Sequence, residues 1–205
     1  AQHLLWSIES FDYYYYNEVR TTLVGLHSNL PLYMTFYDID SLEDVEGYLA
    51  LLADTPRYFA EVLRFEQEKS RAGLFMTDEA LEQVLGQLQE VIDARETLFL
   101  RATFPDALAK LNLNGAQQAA YEKQNDALVD ALVDAYQKLY DGLAPLAGTG
   151  TNHGGLMNYG AQGLKYFGLS LRQSACADVT PEAAVAILEK EIEHQVEVIL
   201  DCMRK

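Results

Sequence analysis

The residues best suited to chemistry lie near the C-terminal end, where Glu191, Glu193, His194 and Glu197 follow one another closely. Their Glu-x-x-His and His-x-x-Glu spacings each place two potential metal ligands on one face of a helix. A di-iron bundle requires two copies of Glu-x-x-His, and the sequence has one, while the zinc-peptidase motif His-Glu-x-x-His does not occur. We therefore interpret the group as a charged, solvated helix face and assign no metal ligands to this chain.

The run from Gly150 to Gly155 has the glycine spacing of a phosphate-binding loop. Such a loop continues with Lys and Ser or Thr, which bind phosphate and Mg²⁺, but Leu156 and Met157 occupy these positions. The dinucleotide-binding fingerprint also fails, because His153 stands where its third glycine is required. No Gly-x-Ser-x-Gly motif is present, and spacing alone assembles no Ser-His-Asp or Cys-His set. We therefore predict no catalytic residues.

The segment from Pro145 to Gly168 is unusually rich in glycine. It contains seven of the chain's 13 glycines, at positions 148, 150, 154, 155, 160, 163 and 168. Apolar and aromatic residues are interspersed, which favours an ordered glycine-rich loop or short β-hairpin around 148–168; a flexible linker is the alternative. The backbone at Gly154 and Gly155 could pair with an extended peptide. The side chains of Asn152, His153 and Lys165 could hold a terminal carboxylate.

Two further clusters leave alternatives open. Tyr13–Tyr16 are four consecutive tyrosines, which on a helix point around most of its circumference. Core packing accounts for two of them, and the others are available for ligand stacking or contact with another domain. Asp126, Asp130 and Asp134 recur at helical spacing, which favours a solvated face, with a cation site as the alternative.

The elements that carry these residues are predicted to be helices packed on helices. Ser41, Thr55-Pro56, Thr77 and Thr180-Pro181 provide helix starts followed by apolar residues at helical spacing, and the longest helix runs from Asn114. We predict an all-α fold, mainly a helical bundle. In the last helix, we expect the following residues to face the core: Val185, Leu188, Ile192, Val196, Ile199 and Met203. Residues 30–39 and 98–103 are candidates for short extended segments.

Length and composition limit the remaining possibilities. With 205 residues, 49% of them hydrophobic, the chain can form one domain with a sizeable core. The formal net charge of −16 disfavours nucleic acid and bare membrane surfaces as partners, and no apolar run is long enough for direct membrane insertion. Cys176 and Cys202 are expected to be free thiols. Because helical patterns reach both ends, we expect residues 1–205 to be a single helical domain and a fragment of a larger protein.

Several segments in order along the chain carry a specific combination of motifs. They are Leu30-Pro31-Leu32, Asp44-Val45-Glu46-Gly47-Tyr48-Leu49, Thr55-Pro56-Arg57-Tyr58-Phe59, Gln67-Glu68-Lys69, Gly73-Leu74-Phe75-Met76, Ala135-Tyr136, Leu139, Gly148-Thr149-Gly150, Asn152, Gly154-Gly155-Leu156, Gly163, Tyr166-Phe167 and Val179-Thr180-Pro181-Glu182. Together they resemble the bacterial domain-of-unknown-function family 885, over nearly the whole chain.

The resemblance implies a helical zinc metallopeptidase whose His-Glu motif and Pro-Gly-His segment lie C-terminal to the present chain. Zinc is then expected in the full-length parent, with no cofactor in this chain. The resemblance also implies that the Gly154-Gly155-Leu156 loop and the Tyr166-Phe167 pair approach the substrate groove. Family members often carry two tyrosines where this sequence has Tyr166-Phe167. An extracytoplasmic parent, secreted or lipid-anchored as a lipoprotein, would fit the family.

Two functions are therefore carried forward. The first is the non-catalytic substrate-groove portion of a bacterial zinc metallopeptidase. It would bind a peptide-like substrate through Asn152, His153, Gly154, Gly155, Lys165 and Tyr166. Its partner would be the remaining C-terminal half of the parent, which would carry out peptide hydrolysis, while the isolated chain is inactive. The alternative is a stand-alone helical module that binds a peptide or sugar without enzymatic activity.

Overall fold

The computed structural model describes residues 2–16, 25–151 and 155–204, without the side chains of Leu26 and Met157. Within these ranges the chain is all-α and has no strand, as predicted. It divides into two compact units, one comprising residues 18–151 and the other residues 1–17 together with 152–205. The expectation of a single domain within a larger protein stays a prediction.

Helices account for most of the described residues. In chain order, the α-helices there are α1 (Gln2–Glu9), α2 (Leu26–Thr35), α3 (Leu42–Arg71), α4 (Asp78–Asp93), α5 (Leu100–Leu108), α6 (Gly115–Leu143), α7 (Gly160–Ala175) and α8 (Pro181–Arg204). Short 3₁₀-helices span Ser10–Tyr16, Ala144–Leu146 and Leu156–Tyr159. Among these helices none is both long enough and apolar enough to cross a bilayer.

The helix starts predicted at Ser41, Thr77 and Thr180 are confirmed by side-chain hydrogen bonds. The hydroxyl of Ser41 accepts a hydrogen bond from the backbone N–H of Asp44, and that of Thr77 accepts one from Ala80. The hydroxyl of Thr180 accepts one in the same way at the start of α8. Each bond satisfies a backbone donor that has no acceptor within its own helix.

The separate helix predicted to begin at Thr55-Pro56 is wrong, because α3 runs unbroken from Leu42 to Arg71. Proline inside a helix removes one backbone hydrogen bond and costs about 3 kcal/mol in an isolated helix. Here Leu52 before the proline and Phe59 after it are both buried in one core. Their burial offsets the cost of the proline, since each apolar side chain removed from water contributes about 1.5–3 kcal/mol.

The core of the unit at residues 18–151 lies chiefly where α3 packs along α6. The ring of Phe59 meets that of Tyr136 edge to face, with centroids 4.9 Å apart, and Tyr48 stacks on Phe104 at 5.0 Å. Burial raises the pKa of both tyrosine hydroxyls well above the ordinary value. These phenols are therefore neutral parts of the core.

The other unit contains α1, α7, α8 and two of the 3₁₀-helices. Trp6, Gly163 and Leu169 are its buried residues among those described. The loop or β-hairpin predicted around 148–168 is only partly correct, because residues 160–168 form the first half of α7. A Cβ atom at Gly163 would collide with the carbonyl oxygen of Leu156, so glycine permits a close approach within helical structure.

The prediction that the apolar face of α8 points into a core is wrong for the described part of the chain. α8 contains no buried residue. The exposed fractions of Val185, Leu188, Ile192, Val196, Ile199 and Met203 lie between 49% and 78%. The spacing correctly predicted an amphipathic helix, but periodicity identifies an apolar face without identifying what covers it.

Candidate functional site

A recess of about 430 Å³ lies in the unit formed by residues 1–17 and 152–205. Its lining residues come from the 3₁₀-helix Ser10–Tyr16 and from α7: Asp12, Tyr13, Tyr16, Gln162 and Lys165. The recess combines aromatic rings, a carboxylate, an amide and an ammonium group. Its volume falls within the range of small-molecule sites, about 300–1,000 Å³.

Four tyrosine rings form a connected cluster beside this recess. Tyr166 of α7 stacks on Tyr13 with ring centroids 5.5 Å apart and lies 5.4 Å from the ring of Tyr16. The ring of Tyr16 also meets that of Tyr159 edge to face at 5.6 Å. Such pairs contribute about 0.5–1.5 kcal/mol each beyond the burial of their area. Two members of the cluster, Tyr13 and Tyr16, therefore give the recess an aromatic wall.

Local backbone geometry explains why these residues meet. The backbone of the segment Ser10–Tyr16 bends at Tyr13, which has non-helical dihedral angles, and the rings of Tyr13 and Tyr16 meet edge to face with centroids 5.8 Å apart. In the α-helix α7, Gln162, Lys165 and Tyr166 are three and four positions apart and share one face. The segment Ser10–Tyr16 and the start of α7 thus both contribute lining residues to one recess.

The charges of the recess suit a polar ligand that also has an apolar or ring-shaped part. Lys165 offers three N–H donors and a positive charge, and the carboxylate of Asp12 accepts hydrogen bonds. Gln162 can do both. The tyrosine faces provide a surface on which an aromatic side chain or a sugar ring can pack. These groups could together hold a ligand of that kind.

The structure brings together only part of the predicted substrate-binding set. Lys165 lines the recess and Tyr166 belongs to the adjoining cluster. Gly155 is exposed, and its carbonyl accepts a hydrogen bond from the N–H of Asn158 at 3.0 Å. The remaining predicted members, Asn152, His153 and Gly154, lie outside the described residues.

Sequence analysis does not predict Asp12 and Gln162, which both line the recess. The sequence predicts the run Tyr13–Tyr16 as a candidate for ligand stacking, but it does not predict that Tyr13 and Tyr16 contact α7. The available signal was the helical spacing of Gln162 and Lys165, which predicts a shared face without indicating what lies opposite.

The glycines and threonines at residues 148–151 have a structural role in the unit at residues 18–151. The N–H of Gly148 donates a hydrogen bond to a carboxylate oxygen of Asp78 at 2.7 Å. The hydroxyl of Thr151 donates one to the carbonyl of Gly73 at 2.6 Å. Between them, a Cβ at Gly150 would lie 2.5 Å from the carbonyl oxygen of Met76. These contacts therefore hold the loop after α6 against the first residue of α4 and the segment before it.

The acidic residues of α8 and α6 lie on an exposed helix face or pair with arginines. Glu191, Glu193, His194 and Glu197 are exposed on α8, and the described residues contain no group of three or more potential His, Cys, Asp or Glu ligands. The aspartates of α6 at positions 126, 130 and 134 are paired with Arg95 and Arg101.

Cys176 and Cys202 are exposed free thiols, in agreement with the prediction.

Comparison with known proteins gives one result. No curated protein matches the chain, and no solved structure does so either. A family model described as "Bacterial protein of unknown function (DUF885)" matches residues 2–204. Because the match extends over nearly the whole sequence, the chain belongs to the DUF885 family of bacterial proteins.

Proposed function

We propose that this chain forms the substrate-groove portion of a bacterial zinc metallopeptidase and does not itself carry the catalytic metal. The observation that supports this role best is the recess in which Lys165 lies beside Tyr13 and Tyr16, with Tyr166 stacked behind them. Two predicted substrate-binding residues, Lys165 and Tyr166, thereby belong to one aromatic, charged surface. Such a surface matches the chemistry of a peptide end.

Each group in the recess has a defined role in this proposal. The ammonium of Lys165 attracts a peptide carboxylate, while the carboxylate of Asp12 accepts hydrogen bonds from peptide N–H groups. The rings of Tyr13 and Tyr16 pack against a substrate side chain.

The described residues do not offer a ligand set for zinc. A catalytic zinc requires three protein ligands, and no suitable group of His, Cys, Asp or Glu occurs among the residues that the structure describes. As the family resemblance implies, the proposal assigns the zinc to another part of the parent protein, where it would act as the Lewis acid for peptide hydrolysis. In this proposal the present chain binds and orients substrate.

The exposed apolar face of α8 supports the idea of a larger parent. An apolar stripe along a 24-residue helix is unfavourable in water unless another surface covers it. We assign this cover to the remaining C-terminal part of the parent. That part would then lie against the same unit that contains the tyrosine recess.

Hydrolysis assays test the division of labour between the two parts. The isolated chain should cleave no peptide, with or without added Zn²⁺, whereas the full-length parent should cleave peptides and lose this activity when zinc is chelated. Metal-dependent hydrolysis by the chain alone would contradict the proposal. So would a parent sequence that lacks a His-Glu-x-x-x-Gly-His type of helix beyond Lys205.

Peptide binding to the isolated chain tests the recess itself. A peptide with a free C-terminal carboxylate should bind more tightly than its amidated form, by about two- to fivefold for an exposed ion pair. Lys165→Ala should remove this difference. Lys190→Ala, on exposed α8, is the matched control and should retain it. Equal binding of both peptides to the unchanged chain would show that Lys165 does not hold a carboxylate.

A second candidate function is a stand-alone module that binds a peptide or a sugar. The stacked rings of Tyr13 and Tyr166 favour it, because aromatic faces also pack against sugar rings. Oligosaccharide titration separates the two functions. Saturable sugar binding that Tyr13→Ala abolishes, together with an inactive parent, would favour the binding module over the peptidase.

A further inference from the structure

An aromatic cavity of about 430 Å³ lies within the unit at residues 18–151. It shares no lining residue with the recess formed by Asp12, Tyr13, Tyr16, Gln162 and Lys165. Tyr33 near the end of α2, with Phe36 and Tyr37 just after that helix, forms one side, and Tyr58 of α3 contributes a ring from the other. The carboxylate of Asp54 also lines this cavity. Four aromatic rings and one acidic side chain thus share an opening between two helices.

Two of the rings are held by the surrounding structure. The ring of Tyr37 meets that of Tyr48 with centroids 6.0 Å apart, and its hydroxyl occupies the space where a Cβ of Gly47 would stand. The ring of Tyr58 lies 5.8 Å from that of Phe59, a core residue. These contacts limit the movement of both rings. The cavity is therefore preorganised on the side nearest the core.

The other two rings are largely exposed to water, which is unfavourable for apolar surface. Phe36 is 68% exposed and Tyr33 is 49% exposed. Leu51, which also lines the cavity, is half exposed. Large apolar side chains that cluster around a concave opening are typical of a binding site, whereas scattered ones are common on any surface.

Asp54, the charged residue among those that line the cavity, belongs to an ion-paired group whose net charge is negative. Asp54 accepts hydrogen bonds from Nε and Nη2 of Arg57 at 2.7 and 2.6 Å. The same guanidinium donates to Glu61 at 2.7 Å, so two carboxylates share one positive charge. The hydrogen bonds from Arg57 lower the pKa of Asp54, which keeps this carboxylate ionised at neutral pH. The whole chain adds to this field with its net charge of −16.

We propose that this cavity binds a small organic cation that carries a quaternary ammonium group, such as free choline. The negative faces of Tyr33, Phe36, Tyr37 and Tyr58 attract a cation, and a trimethylammonium group presents only methyl groups to them. Because such a group has no N–H donors, it requires no hydrogen-bond acceptors inside the cavity. The carboxylate of Asp54 complements its charge at the edge.

This ligand class fits the cavity better than the two obvious competitors. A neutral apolar molecule would gain the contact with the rings but not the attraction of the negatively charged ion-paired group. An anionic molecule would be repelled by the net charge of the Asp54–Arg57–Glu61 group. The combination of π faces and negative charge therefore selects a weakly hydrated cation.

Calorimetric titration of the chain with three probes tests the proposal. Choline should bind about three- to tenfold more tightly than its neutral isostere, in which a tert-butyl group replaces trimethylammonium. Phosphocholine, the form found in lipid headgroups, should bind more weakly than choline because its phosphate is repelled by the same ion-paired group. Equal binding of choline and the neutral isostere would overturn the proposal, as would tighter binding of phosphocholine or no binding of choline.

A matched set of variants separates cation–π attraction from general apolar contact. Tyr33→Phe keeps the ring and should retain choline binding, whereas Tyr33→Leu keeps apolar bulk and should weaken it about threefold or more. Phe11→Leu changes an exposed ring in the other unit and should have no effect. Since Tyr33 and Phe11 are exposed, circular dichroism should show all three variants folded. Equal affinities of the two Tyr33 variants would contradict the role of the rings.

Discussion

At the scale of single residues, two glycines of α7 differ sharply in their surroundings. A Cβ at Gly163 would collide with the carbonyl oxygen of Leu156 and lie 2.9 Å from the Cβ of Tyr159, whereas a Cβ at Gly168 would meet nothing within 4 Å. The first position depends on the absence of a side chain. The second has the ordinary cost of glycine in a helix.

Replacing each glycine by alanine should therefore change stability in opposite directions. Gly163→Ala should lower the free energy of unfolding by about 1–3 kcal/mol through overpacking. Gly168→Ala should raise it by about 0.5–1 kcal/mol through helix propensity. Urea unfolding followed by the fluorescence of Trp6, the chain's one tryptophan, reports on this unit directly because Trp6 is buried there. The same sign for both variants would contradict the close approach at Gly163.

The N-terminus of α3 contains a carboxylate whose titration affects stability. The hydroxyl of Ser41 donates a hydrogen bond to Asp44 at 2.7 Å, and the N–H of Asp40 donates another at 3.2 Å. Both bonds lower the pKa of Asp44, with Ser41 the larger cause. A lowered folded-state pKa gives stability that is present above the unfolded pKa and is lost as the pH falls through the folded value.

Ser41→Ala should consequently matter most at neutral pH. Loss of the N-cap acceptor should lower the free energy of unfolding by about 1 kcal/mol. Because the variant also lacks the donor to Asp44, the gap between it and the unchanged chain should narrow as the pH is lowered from about 5 towards 2. Urea unfolding at several pH values measures the gap. A gap that stays constant on acidification would refute a contribution from the ionised Asp44.

At the scale of elements, two arginines tie α6 to the segment before it. Arg101 in α5 donates to a carboxylate oxygen of Asp130 at 2.7 Å and of Asp126 at 3.2 Å, and also to the backbone carbonyl of Arg95 at 3.0 Å. Arg95 pairs with Asp134 and Asp130. The column of aspartates therefore serves as a set of acceptors for the chain's own guanidinium groups.

Arg101→Ala should destabilise the unit at residues 18–151 by about 1–3 kcal/mol, because it removes several charge-assisted hydrogen bonds between elements. Arg57→Ala is the matched control, since Arg57 is exposed and its partners belong to the same helix; it should leave stability nearly unchanged. Urea unfolding by far-ultraviolet circular dichroism measures both. Equal effects of the two variants would argue against a special role for Arg101.

The helical class and several helix starts could be predicted from the sequence, because capping and apolar spacing are local. Continuity through Pro56 could not, since it depends on the burial of Leu52 and Phe59 in one core. Residues 30–39 and 98–103 were candidates for extended segments, yet α2 and α5 cover much of both. Short runs rich in apolar residues do not distinguish a strand from a buried helix.

The candidate site was predictable only in part for the same reason. Lys165 and Tyr166 could be named from the sequence, whereas their meeting with Tyr13 and Tyr16 joins residues from opposite ends of the chain. Patterns of neighbouring residues cannot predict a contact between segments so far apart in the sequence. The aromatic cavity at Tyr33 and Tyr58 likewise joins side chains from two different helices, α2 and α3.

At the scale of the whole molecule, the most informative feature is the contrast between α7 and α8. Leu169 of α7 is fully buried, whereas the apolar side chains of α8 remain exposed although they follow a regular helical spacing. If another part of the parent protein covers this face, the apolar side chains of α8 should contribute to the free energy of unfolding in the parent. They should contribute little in the isolated chain. Substitutions in the two helices can separate these situations.

Ile192→Ser in α8 should leave the unfolding of the isolated chain within about 0.5 kcal/mol of its original free energy, because exposed side chains contribute little to stability. Leu169→Ala should cost about 2–5 kcal/mol through the cavity that it creates. Trp6 fluorescence measures both in urea. In the full-length parent, Ile192→Ser should become strongly destabilising, since it would place a hydroxyl in a covered apolar interface. An equally small effect there would mean that the stripe stays open to water, and the assignment of α8 as the contact with a catalytic partner would fail.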